Sequence, residues 1–438
     1  MTVEEKHGYK ETTIRMIPYN WKLLSIGDAT EVSAGGTPST ANKDYWNPPE
    51  VPWMSSGEVH QRQIFKTDKM ISKLGLQNSS ARVFPKKSVV MALAGQGKTR
   101  GCVAVLEAEV ATNQSLAAIY PNTHFDSYYL LHNLDWRYKE LRSLSSGEGG
   151  RGGLNLSIIK SIQVATPPLP EQQKIAAILT AVDDKLNVIA RQIVATQTLK
   201  EGLMQTLFRQ GVGTQDAAGH WVPHVLFKKC KTENYPDSWK IVSFENVAPI
   251  IRRPVEIKDD EFYPELGLRS FGKGTFHKPA LPGMKVGNKR LFKIQPGDLL
   301  FSNVFAWEGS VAVARKEDEG RFGSHRYITC KVDNRLANTS FLFRYITTPD
   351  GIELLKRASP GGAGRNRTLG LSALAAISIP LPPLDEQDKI TEILDGVDAK
   401  LYLLTTKQTH YQTIKRGLMQ KLLTGEWRVK LNDVALTD

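Results

Sequence analysis

The sequence has few cysteines and no recognisable pattern of an enzyme active site. Its 438 residues include three cysteines, Cys102, Cys230 and Cys330, which lie far apart and form no Cys-x-x-Cys pair. This distribution argues against a disulfide framework and against a structural zinc site. The nine histidines form no His-Glu-x-x-His motif, and no serine stands in a Gly-x-Ser-x-Gly elbow. We therefore expect a non-catalytic chain that holds neither a metal nor a cofactor of its own.

Long apolar runs are also missing. The longest one, near Val89 to Ala94, is much shorter than the roughly 20 residues that a membrane-spanning helix needs. The first residues lack the apolar core of a signal peptide. The sequence thus predicts a soluble protein, and its cysteine usage fits the reducing cytoplasm.

Positive charge, in contrast, is abundant. Lysine and arginine number 57 against 45 aspartates and glutamates, for a net charge of +12 and a pI near 9.4. Such a balance favours a polyanionic partner, above all a nucleic acid. A chain of this length also exceeds the usual size of a single hydrophobic core, which predicts two or more domains.

One segment of the chain occurs twice. Residues 154–211 align without a gap onto residues 369–426, and both copies contain Pro-Pro-Leu-x-Glu-Gln-x-Lys-Ile and close with Lys-x-Gly-Leu-Met-Gln-x-Leu. A weaker echo precedes each copy, with Pro18 to Lys22 resembling Pro236 to Lys240. Self-similarity at this scale indicates tandem units, each a globular module followed by a helix.

Each repeated segment is predicted to form a helix of about 38 residues, roughly 57 Å long. Prolines followed by acidic residues, Glu171 in one copy and Asp385-Glu386 in the other, mark the helix starts. A narrow apolar stripe then indicates a seam between two antiparallel coiled-coil helices, although packing on a globular core is the alternative. The expected seam comprises Ile175, Leu179, Val182, Leu186, Ile189, Leu203, Leu207, Ile390, Leu394, Val397, Leu401, Leu404, Leu418 and Leu422.

Polar and glycine residues interrupt this pattern. The stripe is broken at Thr196 and Lys200, and again at Gln408 and Lys415, where side chains either set the register or contact water. Glycine inside a helix costs about 1 kcal/mol relative to alanine. Gly202 and Gly417 therefore predict close approach of another backbone, or else a helix end.

The regions that precede the two repeats, about 20–153 and 238–368, are predicted to be mixed α/β modules with parallel organisation. We expect strands over 88–94, 101–107 and 115–120 and a helix over 126–144 in the first module. Matching strands are expected over 297–304, 310–315 and 327–332 and a helix over 339–358 in the second. Each module ends in a glycine-rich, arginine-bearing loop that suits phosphates or guanine edges, a solvated connector being the alternative.

These patterns divide the chain along its length. The expected parts are an N-terminal segment 1–19, a first module 20–153, a helical spacer 154–211, a linker 212–237, a second module 238–368, a second spacer 369–426 and a tail 427–438.

Three short motifs suggest catalysis but are incomplete. Gly95 to Thr99 ends like a phosphate-binding loop, but alanine stands at position 92 where that pattern requires glycine. Asn47 to Glu50 resembles the Asn-Pro-Pro-aromatic motif of amino-methyltransferases, with glutamate in place of the aromatic residue that stacks on a flipped base. Pro236-Asp237 with Glu256 to Lys258 matches a loose nuclease pattern, but Asp237 lies in the repeated structural segment. None of the three predicts an active site.

Two divergent basic modules, each followed by a nearly identical long helix, resemble the specificity subunit of type I restriction-modification enzymes. The resemblance covers almost the whole chain. It rests on the two repeated helix motifs and on Gly35 to Ser39 with Tyr45-Trp46 and Val51 to Trp53. The second module departs from this pattern, because Phe262 to Phe276 stands where a Gly-Gly-Thr-Pro opening is expected.

The resemblance implies a non-catalytic DNA reader with two target-recognition domains, held apart by an antiparallel helix pair in a pseudo-twofold arrangement. Each domain would read one half of a bipartite target in double-stranded DNA. Two methyltransferase subunits would methylate adenine with S-adenosylmethionine, and restriction subunits would add ATP-driven translocation and magnesium-dependent cleavage. Matching helices and unlike modules independently predict a split target with two unlike halves.

DNA contacts are expected on one hairpin turn and on the glycine-rich loop of each module. Arginine and glutamine can read guanine and adenine edges, whereas lysine more often meets phosphate. The expected contacts are Gln96, Lys98, Thr99, Arg100 and Arg151 in the first module, and Asn303, Trp307, His325, Arg326, Arg365 and Arg367 in the second. Each could instead be an ordinary solvated side chain.

Other functions stay open at this point. The chain could serve a related system in which nuclease and methyltransferase are fused. A self-contained nuclease or methyltransferase would use the incomplete motifs above. A structural adaptor would bind partner helices and no DNA.

Overall fold

A computed structural model describes residues 8–95, 97–144, 153–230, 233–361 and 367–430. The chain divides into two compact units. The first is formed by the residues up to Arg191 together with those from Thr406 onward, and the second by Gln192–Thr405. Each long repeat helix therefore contributes one part to each unit.

The first unit contains thirteen short strands among its described residues. They are β1 (Tyr9–Lys10), β2 (Ile17–Pro18), β3 (Lys22–Ser25), β4 (Val32–Ala34), β5 (Val51–Met54), β6 (Gln63–Ile64), β7 (Lys69–Ile71), β8 (Val83–Phe84), β9 (Val89–Ala92), β10 (Val103–Leu106), β11 (Val110–Thr112), β12 (Leu116–Ile119) and β13 (Gln163–Thr166). The helices are α1 (Ile26–Ala29), α2 (Lys73–Gln77), α3 (Ser127–Trp136), α4 (Tyr138–Ser143), α5 (Leu156–Ser161) and the long α6 (Leu169–Gln210), of which the residues from Gln192 onward belong to the second unit.

The second unit repeats this plan. Its strands are β14 (Thr214–Gln215), β15 (Trp221–Val222), β16 (Phe227–Cys230), β17 (Glu233–Pro236), β18 (Lys240–Ser243), β19 (Ile250–Ile251), β20 (Phe262–Leu268), β21 (Thr275–Pro282), β22 (Leu291–Lys293), β23 (Leu299–Ser302), β24 (Val311–Val313), β25 (Phe322–Ser324), β26 (Tyr327–Cys330) and β27 (Ser378–Leu381). The helices are α7 (Phe244–Val247), α8 (Gly283–Val286), α9 (Thr339–Ile346), α10 (Pro349–Arg357), α11 (Leu371–Ala375) and the long α12 (Leu384–Leu423).

The two modules have closely similar sheet topologies although their sequences differ, and the first module has one additional edge strand, β6. One sheet runs β4-β12-β9-β10-β6 in the first module and β19-β26-β23-β24 in the second. The other runs β7-β5-β11-β8 and β21-β20-β25-β22, and in both cases the two central strands are parallel. The hairpin β20-β21 thus occupies the place of β5 and β7 in the sheet order.

Most strands pair antiparallel, so the predicted parallel organisation is wrong. Strand β9 pairs antiparallel with both β10 and β12. Strand β9 has an unbroken apolar sequence, and such a sequence is typical of parallel strands buried on both faces. Here an antiparallel sheet is buried on both faces, because Val89 and Met91 enter one core cluster and Val90 and Ala92 another.

Both predicted module helices are split in two. The first breaks between α3 and α4 at Arg137, whose backbone leaves the helical region at φ −89° and ψ 12°. The second breaks between α9 and α10 at Thr347 and Thr348, where the Thr348 hydroxyl accepts a hydrogen bond from the N–H of Gly351 at 3.1 Å. Proline at position 349 has no N–H to extend the preceding helix, but it suits the first turn of a new one.

The long helices run antiparallel within each unit, as predicted. In the first unit Lys415 lies 2.7 Å from Asp183, and Arg428, beyond the end of α12, lies 2.7 Å from Glu171 at the start of α6. In the second, Lys200 lies 2.6 Å from Asp398, and the N–H of Val212 donates to Glu386 at 2.8 Å. Each pair of contacts moves forward along one helix and backward along the other.

The expected seam residues are buried or half-buried in every case. Towards the helix ends they also enter the module cores: Ile175 and Leu179 join Leu422 in one cluster, and Ile390 and Leu394 join Leu207 in the other. The helices therefore pair with each other and pack on the modules as well. Both alternatives from the sequence contribute along different parts of the same helix.

The repeated tryptophan and glutamate anchor each module to its helix. The indole N–H of Trp21 donates to Glu171 at 3.2 Å, and that of Trp239 donates to Glu386 at 2.9 Å. All four side chains are almost fully buried. A buried carboxylate is tolerated only where hydrogen bonds compensate its lost hydration, and these indoles supply part of that compensation.

The next residue of the motif anchors the helix that follows the sheets. Gln172 accepts a hydrogen bond from the N–H of Asp126 at 2.9 Å, and Gln387 accepts one from the N–H of Asn338 at 2.8 Å. Asp126 and Asn338 are the N-caps of α3 and α9. The Glu-Gln pair is thus a structural joint, and not a reactive site.

The helix-end explanation for the helix glycines is wrong, and the predicted close backbone approach does not occur within the described chain. A Cβ atom added at Gly202 or Gly417 would meet no heavy atom within 4 Å in the described structure. Both residues also lie inside their helices, which continue to Gln210 and Leu423. Neither close approach within the chain nor a helix end accounts for them.

Short hairpins occupy the segments expected to be an N-terminal extension and a linker. Strands β1 and β2 pair before Trp21, and β16 and β17 pair before Trp239. The repeated unit therefore begins upstream of the echo that the sequence revealed. Among the described residues, no helix has the length and hydropathy needed to cross a bilayer.

Candidate nucleic-acid interface

In each module the loop of one hairpin meets two other chain segments. In the first module the three segments are the hairpin loop between β9 and β10, the turn Asn113–Ser115 before β12, and Gly153-Leu154 before α5. In the second they are the loop between β23 and β24, the turn His325-Arg326 before β26, and Arg367 to Leu369. We call each arrangement the three-loop junction of its module.

The same pair of backbone hydrogen bonds holds both junctions. In the first, the N–H of Leu93 donates to the carbonyl of Ser115 at 2.8 Å, and its carbonyl accepts from Leu154 at 2.9 Å. In the second, Asn303 donates to Arg326 at 2.7 Å and accepts from Leu369 at 2.8 Å. Because backbone groups alone make these bonds, the side chains can vary without loss of the arrangement.

The first hairpin presents some of the expected contact residues. Lys98 is exposed on the turn, and Thr99 is half-buried with its hydroxyl 3.2 Å from Nε2 of His60. Arg100 differs from them, because its side chain is only 8% exposed and lies within the module. Gln96 and Arg151, also expected to contact DNA, lie outside the described residues.

Side chains of helix α4 donate hydrogen bonds to the turn of this hairpin. The hydroxyl of Tyr138 donates to the carbonyl of Lys98 at 2.7 Å, and the guanidinium of Arg142 donates to the carbonyl of Gly97 at 2.7 Å. Cys102 donates its thiol to Lys98 at 3.0 Å, and burial raises the pKa of that thiol. The apparent phosphate-binding motif is therefore a braced turn between two antiparallel strands, with no helix following it.

The second junction gathers more of the expected residues. His325 and Arg326 are both exposed, and the guanidinium of Arg367 lies 5.5 Å from the ring centroid of Trp307. The Trp307 indole donates to the carbonyl of Val304 at 2.9 Å, which fixes the ring on the hairpin. Asn303 contributes its backbone to the junction and is half-buried. Arg365 lies outside the described residues.

A crevice of about 390 Å³ opens beside the second junction. His325, Arg326, Lys278 and Lys289 line it, and Glu265 lies at its base with 4% exposure. Lys289 binds the Glu265 carboxylate at 2.9 Å. Burial raises the pKa of Tyr327, another lining residue, so its hydroxyl stays protonated and can donate a hydrogen bond. Cationic and hydrogen-bonding groups thus surround a cleft next to the hairpin.

One segment of the first junction escaped the sequence reasoning. Gln114 is exposed and lies two residues before β12, as His325 lies two residues before β26. The first residues of these strands, Leu116 and Tyr327, pair with the last residues of β9 and β23. Aligning the modules by strand ends, and not by residue identity, would have found the correspondence.

The incomplete catalytic motifs have structural explanations. Glu50 accepts a hydrogen bond from the N–H of Lys73 at 2.9 Å, at the start of α2. Asp237 follows β17 and lies 3.9 Å from Lys228. In the part of the chain that the structure describes, no group of three or more histidines, cysteines, aspartates or glutamates could hold a metal ion.

A family model described as the type I restriction modification DNA specificity domain matches residues 18–196 and 236–413. The two matched ranges correspond to the two modules together with most of the helix that follows each. They cover more than half of the chain.

Similar proteins match most of the chain. A putative type I restriction enzyme MjaX specificity subunit from Methanocaldococcus jannaschii is 27% identical over 97% of this chain and 98% of its own length. The MjaIX specificity subunit from the same organism is 31% identical over 64% of this chain and 69% of its own. The crystal structure of an S subunit from M. genitalium superimposes with a TM-score of 0.57 at 15% identity, covering 94% of this chain and 97% of that one. That structural likeness shows a shared fold.

Proposed function

The chain belongs to the type I restriction modification DNA specificity family, and we propose that each of its modules reads one half of a split DNA target through its three-loop junction. The chain is the non-catalytic DNA-recognition subunit, and methyl transfer and cleavage reside in partner subunits. The observation that carries the proposal is that both modules keep the same junction backbone and place different side chains on it. Two modules with the same junction backbone and different junction side chains would recognise two unlike half-sites.

The side chains at the junctions suit both kinds of DNA contact. Arg326 can bind O6 and N7 of guanine in the major groove, and Lys98 can neutralise a phosphate. The antiparallel helices join the modules along the chain and would set the spacing of the half-sites. The glycine-rich segments 145–152 and 362–366, which carry Arg151 and Arg365, lie outside the described residues.

We infer that two methyltransferase subunits bind, one to each unit. The second unit exposes Leu199 and Gly202 one turn apart on α6, and the first exposes Ile414 and Gly417 at the repeated positions on α12. An apolar side chain next to a bare backbone suits a closely packed partner, and its occurrence in both units suits two copies. The partners would bring S-adenosylmethionine, and restriction subunits ATP and magnesium, in the cytoplasm. Native mass spectrometry of the co-expressed complex should show two methyltransferases per chain.

The function is tested by mapping methylated adenines. The chain is co-expressed with its methyltransferase, and genomic DNA is read by single-molecule sequencing. We expect a split, asymmetric motif, and Arg326→Ala should relax one half of it while the other half stays intact. Arg335→Ala is the matched control, because Arg335 is exposed on the same module and pairs with Asp333. Methylation at unchanged sites when the chain is omitted would overturn the proposal.

A further inference from the structure

Gln114 occupies the position in the first junction that His325 occupies in the second. Both residues are exposed, both lie two residues before a strand that pairs with the hairpin, and both precede the residue that accepts the junction hydrogen bond. The first hairpin carries Lys98 and Thr99 but no exposed arginine, asparagine or glutamine among its described residues, since Arg100 is buried. Gln114 supplies such a group at the same junction.

The Gly-Gly-Thr segment fixes the Gln114 side chain. The hydroxyl of Thr37 donates a hydrogen bond to Oε1 of Gln114. Thr37 can lie there because Gly36 donates its N–H to the carbonyl of Thr112 at 2.8 Å, and a Cβ atom at Gly35 would lie 2.1 Å from that same carbonyl oxygen. The absence of a side chain at Gly35 thus lets the chain approach strand β11 closely enough for Thr37 to reach the turn.

We propose that Gln114 reads an A·T base pair in the half-site bound by the first module, with Thr37 as its positioning residue. The proposal rests on the proposed DNA-reading function. A glutamine amide can donate from Nε2 to N7 of adenine while Oε1 accepts from the N6 amino group. The Thr37 hydroxyl uses one lone pair of Oε1, so the second remains for the base and the orientation of the amide is set before DNA binds.

The test compares methylation motifs of complexes that carry single substitutions. Gln114→Ala should lower discrimination about 10- to 100-fold at one A·T pair of one half-site, because a bidentate contact to adenine is lost. Gln114→Glu should shift the preference at that position towards cytosine, whose N4 amino group a carboxylate accepts. Gln173→Ala, at an exposed glutamine on α6 in the same unit, should leave the motif unchanged.

The role of Thr37 is tested by substitutions that remove or keep its hydroxyl group. Thr37→Val removes the hydrogen bond at nearly constant volume and should relax the same base position that Gln114→Ala relaxes. Thr37→Ser restores the hydroxyl and should restore discrimination. If both substitutions impair methylation equally at every site, Thr37 serves the fold and not the reading of a base.

The outcomes separate this inference from the broader function. If Arg326→Ala changes one half of the motif and Gln114→Ala changes neither half, the chain is a DNA reader and the assignment of Gln114 is wrong. If neither substitution matters and methylation proceeds at the same sites without the chain, the DNA-reading function itself fails. A change at a G·C position would also overturn the proposed pairing with adenine.

Discussion

The two lysines that interrupt the apolar stripe are held by aspartates of the other repeat. Lys415 lies 2.7 Å from Asp183, and Lys200, its counterpart in the first copy, lies 2.6 Å from Asp398. Burial would raise the pKa of Asp398, but hydrogen bonds from Lys200 and from Arg344 hold it below its usual value. The sequence located these polar positions but not their partners, because the partners are distant in the chain.

His132 makes the stability of the first unit depend on pH. Its pKa is lowered from 6.5 to about 4, chiefly by burial; Arg62 and Lys415 contribute to the decrease, and Asp183 and Asp135 oppose it. In the unfolded chain His132 therefore binds a proton near pH 6.5, whereas in the folded chain it binds one only near pH 4. The free energy of unfolding should fall by about 3 kcal/mol at most as the pH drops through this range.

This pH dependence can be assigned by substitution. His132→Gln keeps a polar partner for the Thr180 hydroxyl, which lies 3.0 Å from Nε2, and removes the titration. Urea unfolding at pH 7, 6 and 5 should show a flatter profile for this variant. His220→Gln is the control, since the His220 side chain is 80% exposed and its loss should not alter the slope. Equal slopes in the wild type and in His132→Gln would contradict the assignment.

At the scale of elements, local sequence signals predicted where elements lie better than how they pair. Proline and acidic residues marked the starts of α6 and α12, which begin at Leu169 and Leu384. The apolar runs located β9, β10 and β12, but the direction of pairing depends on chain connections that the runs do not encode. The sequence predicted only some of the residues at the three-loop junctions, because structurally equivalent positions such as Gln114 and His325 carry different residue types.

The helix glycines give a prediction that separates folding from assembly. Gly202→Ala should raise the free energy of unfolding by up to about 1 kcal/mol, because alanine favours the helix and its Cβ meets no neighbour in the described structure. The same substitution should weaken methyltransferase binding if a partner packs on that surface. Urea unfolding and a titration with the purified partner measure the two effects.

A second glycine provides the contrast for that experiment. Gly211 has φ +71°, and a Cβ atom there would lie 2.1 Å from Oε1 of Glu386. Gly211→Ala should therefore lower the stability of the second unit. If Gly202→Ala is destabilising as well, then a contact within the chain, and not a partner, explains the helix glycine.

At the scale of the whole molecule, the repeat accounts for most of what the sequence revealed. Two copies of one helix implied two modules, and net charge implied a polyanionic partner. The residues that read DNA could not be derived in the same way, because base recognition depends on where a side chain is placed on a junction built from distant segments. Arg100 shows the difficulty, since it follows Lys98 and Thr99 on the hairpin but is buried.

The same net charge predicts how the assembled protein responds to salt. A reader that neutralises about 6 to 10 phosphates should lose roughly 10³- to 10⁵-fold in affinity between 50 and 200 mM salt, whereas an adaptor without DNA contacts should show no such slope. Fluorescence anisotropy of the complex on a labelled target duplex measures this directly.

Lys98→Ala should reduce the salt slope by about one and weaken binding to target and non-target DNA alike, because Lys98 is expected to contact phosphate. Arg326→Ala should instead weaken the target selectively, and a uniform loss from both substitutions would assign Arg326 to the backbone and not to a base.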